Sequence, residues 1–192
     1  MLMIRDLFLL RPTPYFHACE NRWASFWVSG FLILTGVAYG SLVALFQRAI
    51  GGDLKGIPVA DIPNSILFGG NIVSGLLIVF IAHLGVTIVA WLMARGVGGP
   101  GGLLGLYRTT AYLLPLFFPA LPKVALTTVT LDRDLPPIPY DTTYTILGVA
   151  GVAMALVGYY QAIRVTQDVS PGRAAISAGL FALFIGSLVL IF

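Results

Sequence analysis

Long apolar runs separated by short polar breaks dominate the chain, and about 20 apolar residues suffice for a helix to cross the hydrocarbon core. The first run, residues 23–46, opens on Trp23 and Trp27 and is closed by Gln47 and Arg48. The second, 66–94, carries Trp91 just ahead of Arg95. Tryptophans at the ends of apolar runs fit the aromatic belts of a bilayer interface. The fourth run, 144–163, and the fifth, 174–192, contain no charged residue. The third, 109–131, is broken by Pro115, Pro119 and Pro122 and then by Lys123. In water such a segment would be a poor helix, because each interior proline removes a hydrogen bond and clashes with the preceding turn. Neighbouring helices in a bilayer can re-satisfy the freed carbonyls.

Two readings of the third run follow. Residues 111–122 give only 12 uncharged positions before Lys123, short of a full span. Continuing to residue 131 gives enough length if Lys123 snorkels or faces the bundle. The alternative is a re-entrant segment, leaving four spans. With five spans and the N-terminus inside, the inner side holds Arg5, Arg11, Arg22, Arg95, Arg108, Arg164 and Arg173; the outer side holds Arg48, Lys55, Lys123 and Arg133. That bias matches the positive-inside rule. A four-span chain keeps the same split, but needs a roughly 50-residue connection, uncommon without structure of its own. The fold expected is therefore an all-α integral membrane protein, a bundle of five transmembrane helices with a cytoplasmic N-terminus.

The loops agree. Inner connections are short, residues 96–107 and 165–172, whereas the outer ones carry Asp53 and Asp61, then Asp132, Asp134 and Asp141. Residues 135–139, Leu-Pro-Pro-Ile-Pro, must be extended, since a residue before proline avoids the α region. The opening residues do not read as a signal peptide, their apolar stretch being cut by Arg5 and Asp6 and closed by Arg11 and Pro12. Residues 1–22 read as an interfacial amphipathic segment, with Met1, Leu2, Met3, Ile4, Leu7 and Leu10 toward lipid. A frayed tail is the alternative. Residues 23–192 form a single transmembrane bundle.

Composition narrows the class. The 192 residues are 58% hydrophobic and 10% charged, against about 25% charged in soluble domains. A net charge of +3 without a Lys/Arg cluster argues against nucleic-acid partners. Cys19 is the single cysteine, so an internal disulfide is excluded.

Hydrophobic driving force between helices is weak in lipid, so small residues that allow close approach matter. Gly36 and Gly40 form a GxxxG pair in the first run; Gly148, Gly151 and Gly158 lie in the fourth, Gly179 and Gly186 in the fifth. These are expected to pack helix on helix within the chain, with an oligomer contact as the alternative.

Candidate chemistry is sparse. Gly96-Val97-Gly98-Gly99-Pro100-Gly101 matches GxGxxG literally. The dinucleotide fingerprint, however, needs a strand before it and an acid further on. Here Gly98, Gly99, Pro100 and Gly101 read as a hairpin between two membrane segments, using backbone conformations open to glycine. His83 is the one ionisable side chain inside the second run, and an intramembrane ionisable group is a functional candidate by default. It would ligate haem or chlorophyll, serve a proton path, or form a structural hydrogen bond to a neighbouring helix. His17 lies near the surface, so a bis-histidine haem lacks its second ligand. No nucleophile–base pair converges in any segment, and no catalytic or metal-binding residue is expected.

Arg11-Pro12 and an aromatic lead into the first span; GGPGGLLGLYRTTAYLLPLFFPALP, with Tyr112 and Pro115, enters the third; Leu147-Gly148-Val149 through Gly158-Tyr159-Tyr160-Gln161 make the fourth. Together these features resemble the Yip domain family (the Ypt-interacting-protein type), in its compact bacterial members. The resemblance implies a five-span bundle with a cytosolic N-terminus in a bacterial cytoplasmic membrane. Eukaryotic relatives are associated with small GTPases and vesicle trafficking. This chain lacks their long N-terminal region and its DLYGP-type motif, so GTPase recruitment does not carry over. The function expected is a non-enzymatic scaffold or interaction partner, without cofactor, partnered by lipid and by another membrane protein or a second copy. Two alternatives are an accessory subunit of a respiratory or photosynthetic complex, ligating haem or chlorophyll through His83, and an oligomeric channel or transporter.

Overall fold

A computed structural model describes residues 2–21, 23–54, 56–130 and 141–191. The extended run expected at 135–139, and Asp132, Arg133, Asp134, Arg22 and Lys55, lie outside the described residues. Two short helices, α1 (Leu2–Phe8) and α2 (Thr13–Glu20), precede α3 (Ala24–Ile50). A two-residue antiparallel hairpin, β1 (Asp53–Leu54) with β2 (Ile57–Pro58), leads to α4 (Asn64–Gly96). The proline-rich run forms α5 (Leu103–Ala111), α6 (Leu114–Phe117), a 3₁₀ turn and α7 (Leu121–Thr130). Two further helices follow, α8 (Asp141–Gln167) and α9 (Pro171–Ile191).

Among the described residues three helices, α3, α4 and α8, are long and apolar enough to cross a membrane; α5 and the 114–130 stretch make a fourth if the bent pair is one span. At 33 residues α4 is about 50 Å long, so both its ends stand clear of a ~30 Å hydrocarbon core. The helices overrun the expected spans by a few residues at most ends. The larger difference is at the glycine-rich connection: residues 103–107, expected in a loop, are helical, because proline does not interrupt the chain until Pro115.

Two of the three prolines in the third segment fall where they cost least. Pro115 sits in the first turn of α6 and Pro119 in the first turn of the 3₁₀ helix, positions whose N–H has no intrahelical partner. The result is a segment bent by 41° between α5 and its continuation.

That segment runs antiparallel to α8 over the length of both. Thr109 Oγ1 lies 2.9 Å from Thr166 Oγ1, Gly158 faces Leu113 and Leu116, Gly151 faces Ala120, and Gly148 faces Lys123. At the far end Lys123 Nζ reaches Asp141 Oδ1, 2.5 Å away. On its other side the same segment packs on α3: Phe31 meets Tyr112 edge-on at 5.2 Å, and Tyr39 Oη lies 2.9 Å from Thr128 Oγ1.

Glycine sets the closest crossing. A Cβ on Gly36 would lie 2.8 Å from Leu76 Cα, one on Gly40 would overlap the Asn71 carbonyl, and one on Gly75 would crowd the Gly36 carbonyl oxygen. The backbones of α3 and α4 therefore touch, which is how small residues gain van der Waals contact in lipid. At the end of α3, positive φ at Gly51 and Gly52 turns the chain away. The Arg48 guanidinium then holds the connection, donating to the carbonyls of Val59 (2.6 Å) and Ile62 (2.6 Å) and to Asn64 Oδ1 (2.6 Å).

The N-terminal helices dock on the bundle. Leu7 is buried in the main core with Met3 and Leu10 packed beside it, whereas Ile4, Phe8 and Leu9 are exposed. In α2, Tyr15 and Ala18 are fully buried, and the Tyr15 hydroxyl sits against Gly158 of α8.

Candidate functional site

The polar groups inside the bundle form a seam where α4, α5 and α8 meet. His83 is buried on α4, and its Nε2 lies 3.1 Å from the Tyr107 carbonyl of α5, an acceptor, so the ring nitrogen is the donor. Its imidazole also packs on the Tyr107 ring, with centroids 4.7 Å apart. One turn along, Thr87 Oγ1 lies 2.9 Å from Thr110 Oγ1 while donating to the His83 carbonyl. The seam continues through Thr109 and Thr166 to α8. Threonine can sit inside a membrane helix because its hydroxyl bonds the carbonyl one turn back and has a lone pair left for a neighbouring helix.

The glycine connection caps this seam at one end. Gly98 N–H donates to Arg95 and Gly99 N–H to Ala94, closing α4, with Gly98 at φ +83°. Trp91 Nε1 donates to the Gly101 carbonyl at 3.3 Å, and the Arg95 guanidinium lies over the Trp91 ring. Beneath the loop is the last residue of α8, Gln167, which has no exposed surface. A Cβ on Gly99 would lie 2.9 Å from Gln167 Oε1, and one on Gly101 would overlap the Thr166 carbonyl and stand 2.7 Å from Gln167 Nε2. Gly98, Gly99, Pro100 and Gly101 thus form a tight cover on the end of α8.

Of the other glycines singled out above, Gly36, Gly40, Gly151 and Gly158 sit at tight contacts, and Gly148 in ordinary contact with Lys123. Gly179 and Gly186 face open space, with Leu183 exposed between them. Sequence reasoning passed over Gln167 and Arg48. Gln167 falls inside the connection expected at 165–172, whereas the helix runs on to end at it.

Cys19 lies half-buried in α2 beside Thr166, Glu20 and Arg108. Burial raises its thiol above the ordinary range; a hydrogen bond to Thr166 lowers it, the Glu20 charge adds to the rise, and Arg108 opposes it. Burial likewise pushes the Tyr15 phenol up. Among the described residues no three His, Cys, Asp or Glu side chains group as metal ligands, and His17 pairs instead with Asn21 Nδ2 at 3.0 Å.

These features define a multi-pass α-helical membrane protein whose intramembrane polar groups join one helix to another. The particular family is equally plain: the chain belongs to the Yip1 domain family, whose profile matches residues 6–192. It is not a family of known enzymes. No match was found among curated proteins or among solved structures.

Proposed function

We propose that this protein is a non-enzymatic scaffold or interaction partner in a bacterial cytoplasmic membrane, crossing it five times with the N-terminus in the cytoplasm. The observation that carries the reading is the use made of the polar groups. His83, Thr87, Thr109 and Tyr39 each meet a group on another helix, so these four side chains serve to hold the bundle. The His83 hydrogen bond engages Nε2, a nitrogen that a haem or chlorin metal would need, and this weighs against the pigment-bearing alternative.

The five-span count is supported by the register of the broken segment, which follows α8 from Thr166 to Asp141. A re-entrant element would turn back part-way. Lys123, paired at the first residue of α8, then stands at the outer interface rather than at mid-depth. The exposed apolar face of α9 offers a surface for a neighbouring membrane helix or for lipid.

Affinity purification in a mild detergent, with an absorption spectrum of the product, tests the reading. A colourless protein retaining a defined membrane-protein partner or second copy is expected. A Soret or chlorin band that disappears in His83→Ala would overturn it.

A further inference from the structure

The cover over Gln167 combines three features that do not favour the closed state equally. Gln167 is fully buried, yet neither its Nε2 nor its Oε1 makes a hydrogen bond to the protein. A buried amide without partners is costly, because it has given up water and gained nothing in exchange. The residue after it, Asp168, ends α8 in a left-handed conformation at φ +45°, a region aspartate enters more readily than most side chains. Against this, residues covering the amide bring little to hold them. Gly98, Gly99, Gly101 and Gly102 have no side chains to bury, Pro100 is exposed, two backbone bonds from Gly98 and Gly99 tie the start of the loop to α4, and one long side-chain bond, from Trp91, reaches it at the Gly101 carbonyl.

We propose that residues 97–102 are a strap that opens and closes in the folded bundle, with Gln167 as the element that favours opening. Opening lets water reach the carboxamide, and it loses few apolar contacts. The bundle beneath stays in place, since Ala94, Leu106 and Ile163 belong to the main core independently of the loop. The open form presents the carboxamide together with the first turn of α5, whose opening residues carry no acid, at one end of the bundle. This goes beyond the scaffold reading and stands or falls separately from it.

Hydrogen exchange of the reconstituted full-length protein, read on the peptide holding the Gly98 and Gly99 amides, tests it. Replacing the amide by an apolar group of similar size, Gln167→Leu, removes the drive to open. Exchange there is expected to slow by about tenfold, the equivalent of one hydrogen-bond-sized contribution, and the melting temperature to rise. Exchange that is unchanged or faster, with a lower melting temperature, would show that the carboxamide holds the strap down and would overturn the proposal. A second variant keeps the test open should Gln167→Leu misfold. Trp91→Phe keeps Gln167 and removes the side-chain bond that reaches the strap at Gly101, so exchange at the Gly98 and Gly99 amides is expected to quicken. Unchanged or slower exchange in Trp91→Phe would contradict an opening strap.

Discussion

Lys123 Nζ lies 2.5 Å from Asp141 Oδ1, joining the proline-rich segment to the first residue of α8. The cation that makes the third run look too short to cross is thereby given a partner, and the acid sits where a helix N-terminus favours negative charge. Both side chains keep contact with solvent, so the pair fixes register more than it adds stability. Lys123→Met should lower stability by about 1 kcal/mol or less, read by thermal unfolding in detergent. Lys123→Glu, which sets two like charges side by side, should cost visibly more.

The glycines separate into two classes by what surrounds them. Gly40→Ala drives a methyl into the Asn71 carbonyl and should destabilise the bundle by about 1–3 kcal/mol. Gly186→Ala enters open space and should leave the isolated protein within about 0.5 kcal/mol of wild type. Comparing the two melting curves checks the assignment, and equal losses would count against it.

His83→Ala removes one inter-helix hydrogen bond and a ring contact. Such bonds average about 0.6 kcal/mol within membranes, so the variant should fold, assemble and melt only slightly below wild type. Its spectrum should match that of the unsubstituted protein.

How much of this was legible in the sequence depends on distance along the chain. Hydropathy marks long helices directly, because each must present apolar surface to lipid over its length, and the Gly36–Gly40 pair announces a close crossing through its own spacing. The partner of His83 is a backbone carbonyl 24 residues away, and backbone acceptors leave no trace in residue type. Asp141 was read as a loop acid and Lys123 as a problem of depth; only the antiparallel register brings them together. Gly179 and Gly186 carry the same small-residue signal as Gly151 and Gly158, yet one pair meets open space and the other meets neighbours. A stripe reports that close approach is allowed, not which helix makes it.

Titration gives an independent check on the docking of α2. Folding holds the Cys19 thiol above its unfolded pKa. The associated stability is therefore fully present below the unfolded value, about 8.5, and is lost as pH rises through the folded one. Wild type should lose stability from about pH 8.5 upward more steeply than Cys19→Ser. Parallel pH profiles for the two proteins would place α2 off the bundle.

The most direct measurement concerns whether the broken segment crosses. In a Cys19→Ser background, single cysteines are placed at Gly102, just ahead of the segment, and at Thr127, in its last turns beyond Lys123; both positions are exposed. In intact cells or oriented vesicles an impermeant thiol reagent applied outside should label Thr127→Cys and leave Gly102→Cys unreacted until the membrane is opened. Labelling of both from the same side would make the segment re-entrant and contradict the five-span account.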